Sequence, residues 1–112
     1  MIYFTCFAKM KKYPNMEFFS ISENIPNGLN IPVIIELVPC STLIRAFKKE
    51  QCTQDDFRKN YFRQISTVNR LKIGNMLQDK CIVCDRPLGI FSHSQFVAEW
   101  LKSVGFEIEE LK

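Results

Sequence analysis

The sequence predicts a single α/β domain over residues 1–112, with a small, mainly parallel sheet flanked by helices. Three observations support this class. Short runs rich in β-forming residues occur near both ends of the chain, and amphipathic helical segments lie between them. Residues 80–110 follow the order strand, loop, helix, strand. That order is typical of a βαβ unit, so its two strands are expected to be parallel neighbours.

The composition is that of an ordinary globular domain, with 112 residues, of which 46% are hydrophobic and 24% charged. The net charge of +3 is compatible with an anionic ligand but is low for a nucleic-acid-binding domain. Basic groups such as Arg45, Lys48 and Lys49 are predicted to lie on solvated faces. The sequence shows no secretory signal and no membrane-length apolar stretch, so a cytoplasmic protein without membrane contact is expected.

The first third of the chain contains three β-like runs. They are residues 2–8, residues 17–22 and residues 33–38, each rich in aromatic or β-branched side chains. A loop that contains Gly28 separates the second run from the third, and Pro39 ends the third. All three runs are predicted to be strands.

Apolar spacing predicts helices in the middle of the chain and again near its end. Ser41 or Thr42 is expected to cap the first helix. Thr53 is expected to cap the second helix, whose first turn carries the carboxylates of Asp55 and Asp56. A weaker helix is predicted over about residues 68–77, and the clearest over residues 94–104. The apolar stripe of this last helix consists of Phe96, Val97, Trp100, Leu101 and Val104. Trp100 is therefore expected to anchor the core.

The five cysteines are an odd number and have mostly hydrophobic neighbours, which does not indicate a disulfide framework. Cys81 and Cys84 have the spacing of half a zinc site or of a redox pair. Both fall inside a predicted strand, where positions i and i+3 point to opposite faces. The sequence offers no second close pair of ligands. We therefore expect Cys81 and Cys84 to be buried thiols, and all five cysteines to be unbridged and free of metal, with no other cofactor.

His93, the only histidine, is predicted to lie just beyond a parallel strand and at the start of a helix. Open parallel sheets bind ligands at this end of their strands. The free N–H groups of a helix start favour an anion, and Ser92 and Ser94 add hydroxyl groups. An anion-binding turn is therefore predicted. In the alternative interpretation a serine caps the helix and His93 is a surface residue.

The candidate ligand-binding residues lie at the predicted strand ends and at this helix start. They are Cys6, Ser22, Cys84, Asp85, Ser92, His93 and Ser94. The predicted partner is a small anionic or nucleotide-like ligand. A second hypothesis is a hydrolase or transferase that uses His93 as general base with Cys84 or Ser92 as nucleophile. A third is an inhibitor that binds a host protein through an exposed Phe-rich face. A homo-oligomer is compatible with all three hypotheses.

Several short motifs resemble, in order along the chain, those of the domain-of-unknown-function 488 family. They are residues 2–8, residues 19–22 with Pro26, residues 37–39, residues 82–85, residues 91–94 and residues 97–101 with Gly105. The resemblance implies an α/β fold with a mainly parallel sheet. It also implies a site at the family's cysteine-histidine-arginine turn, although the activity of the family is not established.

This chain keeps only the histidine of that turn, as His93, with Ser92 and Ser94 at the positions of the family's cysteine and arginine. The thiolate nucleophile and the anion-binding guanidinium would both be missing. The resemblance therefore implies a site that binds rather than catalyses. Short members of the family are common in phages, which implies a phage protein that sequesters a host immune nucleotide signal.

Overall fold

A parallel sheet forms the centre of the computed structural model, which describes residues 1–85 and 93–111. Within these residues the sheet has four strands, in the order β2-β3-β1-β4. The strands are Ile2–Cys6 (β1), Phe18–Ser20 (β2), Cys81–Cys84 (β3) and Ile108–Glu110 (β4). The predicted class, an α/β domain with a parallel sheet, is confirmed.

The two C-terminal strands are parallel but are not neighbours, so this part of the βαβ prediction is wrong. β1 lies between them and pairs Tyr3 with Cys81 on one side and Ile2 with Ile108 on the other. The aromatic and β-branched residues of β1 suit a central strand. β4 carries the exposed Glu109, and charged residues are typical of edge strands.

Two predicted strands are shorter than expected, and a third is replaced. β1 ends at Cys6, and Phe7–Lys12 forms a 3-10 helix, while only Phe18–Ser20 of the second run is a strand. In residues 33–38, Val33 makes an isolated bridge to Ser20 and Ile35–Leu37 is a second 3-10 helix. Its three-residue repeat explains why Ile34 and Leu37 are buried while Ile35, between them, is 68% exposed.

The helices are Ser41–Lys48 (α1), Gln54–Ile65 (α2), Arg70–Met76 (α3) and Ser94–Lys102 (α4). The predicted cap of α2 is confirmed: Thr53 Oγ1 accepts from the Asp56 N–H, and the Asp56 carboxylate accepts from the Thr53 N–H.

The predicted side-chain cap of α1 is wrong, since the residue at the N-cap position is Cys40 and its side chain makes no capping bond. The Cys40 N–H instead donates to the Gln64 side chain, which also donates to Val38 O. A contact with α2 therefore fixes the start of α1.

The stripe of α4 packs on the sheet as predicted, apart from its last member. Trp100 is 5% exposed and Leu101 is fully buried. Val104 lies beyond the helix end and is 38% exposed, so its placement on the buried stripe is wrong. The helix ends two residues early because the chain turns towards Gly105, whose φ of +94° favours glycine.

The two faces of the sheet are covered differently. On one face, which we call the helical face, buried residues of α1, α2, α3 and α4 form the main core with Ile2 and Ile82. On the other face, the thin face, the buried residues are Phe18, Cys81 and Val83, covered by half-buried side chains that include Phe7 and Met10. None of the helices in the described segments combines the length and the apolarity that a bilayer crossing requires.

Candidate functional site

A cleft opens on the helical face, at the carboxyl ends of β2 and β3. Among the residues that the structure describes, its lining includes Ser22, Asn24, Ile44, Phe47, Lys48, Phe57, Asp85 and His93. Its volume is about 60 Å³. Pockets for drug-sized molecules are several times larger, roughly 300–1,000 Å³. The enclosed part therefore has room for one small group, and a larger ligand would extend over the rim.

His93 lies at the inner end of the cleft, immediately before α4, and is 9% exposed. Its Nε2–H donates to the carbonyl oxygen of Ile21, just beyond β2, at 2.7 Å. The ring meets Tyr61 edge-on, with centroids 5.7 Å apart. His93 therefore connects the end of β2 to the start of α4. The alternative in which it is a surface residue is wrong.

The surroundings of His93 favour the uncharged imidazole. Burial lowers its pKa, and the hydrogen bond to Ile21 and the negative charge of Asp85 offset this effect only in part. A neutral ring offers one donor, and Nε2 uses it on Ile21. The idea that His93 supplies a positive charge to an anion-binding turn is therefore not favoured at neutral pH.

The remaining polar residues of the lining lie at different depths. Ser22 is buried, and its main-chain N–H and C=O both bond to the Ser20 hydroxyl in a tight turn after β2. Asn24, Lys48 and Asp85 are exposed. Within the described part of the lining, the rim therefore carries one positive and one negative charge, and the interior carries only neutral polar groups.

An apolar wall closes one side of the cleft. Phe57 projects from the first turns of α2 and is buried, whereas Phe47 lies in the last turn of α1 and is half-buried. Their rings pack edge to face with centroids 5.5 Å apart. Ile44, one turn before Phe47, extends the wall. A flat apolar group would find a complementary surface here.

The structure brings together some of the predicted site residues but not all. Ser22, Asp85 and His93 line the cleft. Cys6 and Cys84 are register partners in the sheet and are buried, and neither is part of the described lining. Ser94 begins α4 and is 1% exposed, also outside that lining. Ser92 lies outside the described residues.

Sequence reasoning missed Asn24, Ile44, Phe47, Lys48 and Phe57 as lining residues. Helical periodicity predicts Phe47 and Phe57 as core residues, and charge predicts Lys48 on a solvated face. These signals are local. The residues meet at the cleft because α1 and α2 converge on the strand ends, which depends on tertiary packing.

The cysteines are free thiols at all five positions. Cys81 faces the thin side of the sheet and Cys84 the helical side, as the strand alternation predicts. Burial raises the pKa of Cys81 to about 12, so this thiol is not a ready nucleophile. Within residues 1–85 and 93–111, no group of three or more potential metal-binding side chains occurs.

In comparisons with known proteins, no family model, no curated protein and no solved structure matches this chain. The resemblance to the domain-of-unknown-function 488 family therefore stays a prediction, which rests on the short motifs alone.

Proposed function

We propose that this protein binds a small nucleotide-like ligand in the cleft around His93, without transforming it. The observation that carries the proposal is the combination of groups in the lining. A buried neutral imidazole lies beside an apolar wall, and a lysine and an aspartate occupy the rim. A nucleotide combines the matching features, since it has a flat base, polar base edges and an anionic phosphate.

Each part of such a ligand has a counterpart in the cleft. The apolar wall suits the non-polar surface of a base, and the Asp85 carboxylate accepts from an amino group at the edge of the base. The Lys48 ammonium attracts a phosphate at the rim. Because the enclosed volume is about 60 Å³, only an edge of the base would enter it. This places the sugar and phosphate over the open side.

The position of Cys84 favours binding over a reaction in which this thiol is the nucleophile. Cys84, one of the two nucleophiles predicted to act with His93, is fully buried and is not part of the described lining. The other, Ser92, lies outside the described residues. A hydrolase is the second candidate function, because a neutral imidazole nitrogen at a cleft is suited to general-base chemistry. Turnover of a bound nucleotide, lost in His93→Asn, would favour this candidate.

A biological use is implied by the motif resemblance alone. A phage protein of this kind would sequester a host nucleotide signal, which requires binding but no chemistry. The third hypothesis, inhibition of a host protein, gains no specific support from the cleft.

Calorimetric titration with adenosine monophosphate and adenosine tests the proposal. We expect Lys48→Ala to weaken binding of the monophosphate by about tenfold, through loss of one charge-assisted contact. It should leave adenosine binding almost unchanged. Lys49→Ala is the matched control, since it removes the same charge one residue away and outside the lining.

Two results would contradict the proposal. One is the absence of binding for a panel of purine and pyrimidine nucleotides, together with the absence of any nucleotide among small molecules released from the purified protein. The other is an equal loss of affinity in Lys48→Ala and Lys49→Ala, because a general charge effect does not require the cleft.

A further inference from the structure

We infer that the enclosed end of the cleft is selective for a ligand with an N–H or O–H group, which donates a hydrogen bond to Nδ1 of His93. This inference rests on the proposed function and specifies how its ligand is oriented. The ligand group inside the cleft is then a hydrogen-bond donor such as a heteroaromatic N–H, and the anionic group of the ligand lies outside.

The tautomer of His93 follows from its partner. A carbonyl oxygen has no hydrogen to donate, so the 2.7 Å contact with Ile21 requires the proton to be on Nε2. In the neutral ring, Nδ1 then carries a lone pair and no hydrogen. The main chain just beyond β2 therefore determines which nitrogen acts as the acceptor.

Nδ1 is also the ring nitrogen that is available to a ligand. Among the hydrogen bonds of the described residues, the His93 ring makes one, through Nε2. No fully buried nitrogen or oxygen of a described side chain lacks a partner. Nδ1 must therefore reach the accessible surface, and we place it at the cleft, because His93 is part of the lining.

Neighbouring groups reinforce the preference of His93 for a donor. The Asp85 carboxylate, at the rim of the same lining, is a second acceptor, and its negative charge acts on the His93 ring. The Tyr61 hydroxyl, close to the ring, already donates to Leu37 O at 2.5 Å. Burial raises the Tyr61 pKa, so this hydroxyl stays protonated. Cys84 lies near Tyr61, and its thiol is buried in the core.

Among the described residues of the lining, the one cation lies away from His93. Lys48 is exposed at the end of α1, whereas His93 is buried at the inner end of the cleft. An anionic oxygen placed at Nδ1 would meet the lone pair of Nδ1 and the negative field of Asp85, which acts on the His93 ring, but at Lys48 it would meet a positive charge. A ligand that carries both an N–H and an anionic group is therefore oriented with the N–H inward.

Two five-membered rings of nearly equal size test this selectivity. Pyrazole has an N–H donor, and isoxazole has an oxygen in its place. The chain has one histidine, so a long-range proton–nitrogen spectrum of the imidazole needs no assignment by mutation. We expect this spectrum to show the Nε2–H tautomer, and saturable addition of pyrazole to shift the Nδ1 resonance. Isoxazole should bind about tenfold more weakly, because it leaves the acceptor unpaired.

Three outcomes would overturn the inference: the Nδ1–H tautomer, equal binding of the two rings, or no shift with either ring. The tautomer is measured on the unaltered chain, so this measurement requires no variant and cannot fail because a variant does not fold. If adenosine monophosphate binds but the two rings do not differ, the inference fails and the proposed function stands. If pyrazole is selected but no nucleotide binds, the proposed function fails and the donor preference stands.

Discussion

The two faces of the sheet differ in how much structure covers them. On the helical face, α1, α2, α3 and α4 bury a large continuous core. On the thin face, a 3-10 helix and neighbouring loop residues cover the buried Phe18, Cys81 and Val83, and most of the covering side chains remain half-exposed. Parallel sheets usually have helices on both faces, so this asymmetry is unusual for the class.

The asymmetry bears on the distribution of stability and on the proposed binding site. The cleft lies on the helical face, where the walls of α1 and α2 are held by the main core. A site on that face has rigid support, which binding requires. The thin face has few fully buried residues, so its individual side chains should contribute less to the free energy of unfolding.

The largest effect is expected from Trp100→Ala on the helical face. Trp100 is 5% exposed and packs in the main core, so its truncation should lower the free energy of unfolding by about 3–5 kcal/mol. Urea denaturation followed by circular dichroism measures this loss. Val104→Ala is the control, since Val104 lies beyond α4 and is 38% exposed, and it should change stability by less than about 0.5 kcal/mol.

A smaller decrease in the free energy of unfolding is expected from Phe7→Ala on the thin face. Phe7 is half-buried against Phe18, Cys81 and Val83, so it buries only part of its side chain. The expected decrease in unfolding free energy is about 1–2 kcal/mol in the same denaturation assay. A loss as large as that of Trp100→Ala would show that the two faces contribute equally, and the comparison would then be wrong.

The smallest effect is a pH dependence located on the helical face. The pKa of His93 is lowered by burial in the folded protein, whereas an unfolded histidine titrates near pH 6.5. Below about pH 6.5 the unfolded chain therefore binds more protons, so folding stability decreases as the pH falls. Cys81, on the thin face, has a pKa of about 12 and does not titrate in this range.

His93→Asn provides the test of this dependence. Denaturation of the parent and the variant between pH 7.5 and pH 5.5 should show the parent losing more stability than the variant as the pH falls. Parallel curves for the two proteins would mean that His93 does not contribute to the pH dependence.

Local signals in the sequence were sufficient for much of the fold. Thr53 and Asp56 are three residues apart and form the predicted cap, and the spacing around Trp100 predicts the buried side of α4. The order of the strands is not a local property. A helix can connect β3 to β4 whether the two strands are neighbours or have β1 between them. The position of β1 between them depends on pairing with residues distant in sequence.

Some features of the candidate site could likewise be predicted from local sequence, and others depend on tertiary packing. Ser22, Asp85 and His93 could be predicted, because residues that follow parallel strands meet at one edge of the sheet. The tautomer of His93 could not be predicted, since it depends on a hydrogen bond to Ile21, which is distant in sequence. Phe47 and Lys48 required knowledge of where α1 packs.

The central position of β1 also has a consequence for how the chain folds during synthesis. β1 is made early, but its partners in the sheet are Cys81–Cys84 and Ile108–Glu110, which leave the ribosome much later. Contacts so distant in sequence slow folding, because a long loop must close before they form. Until then, both edges of an apolar strand are unpaired and are exposed to aggregation. The sheet can therefore be completed only after β4 has emerged.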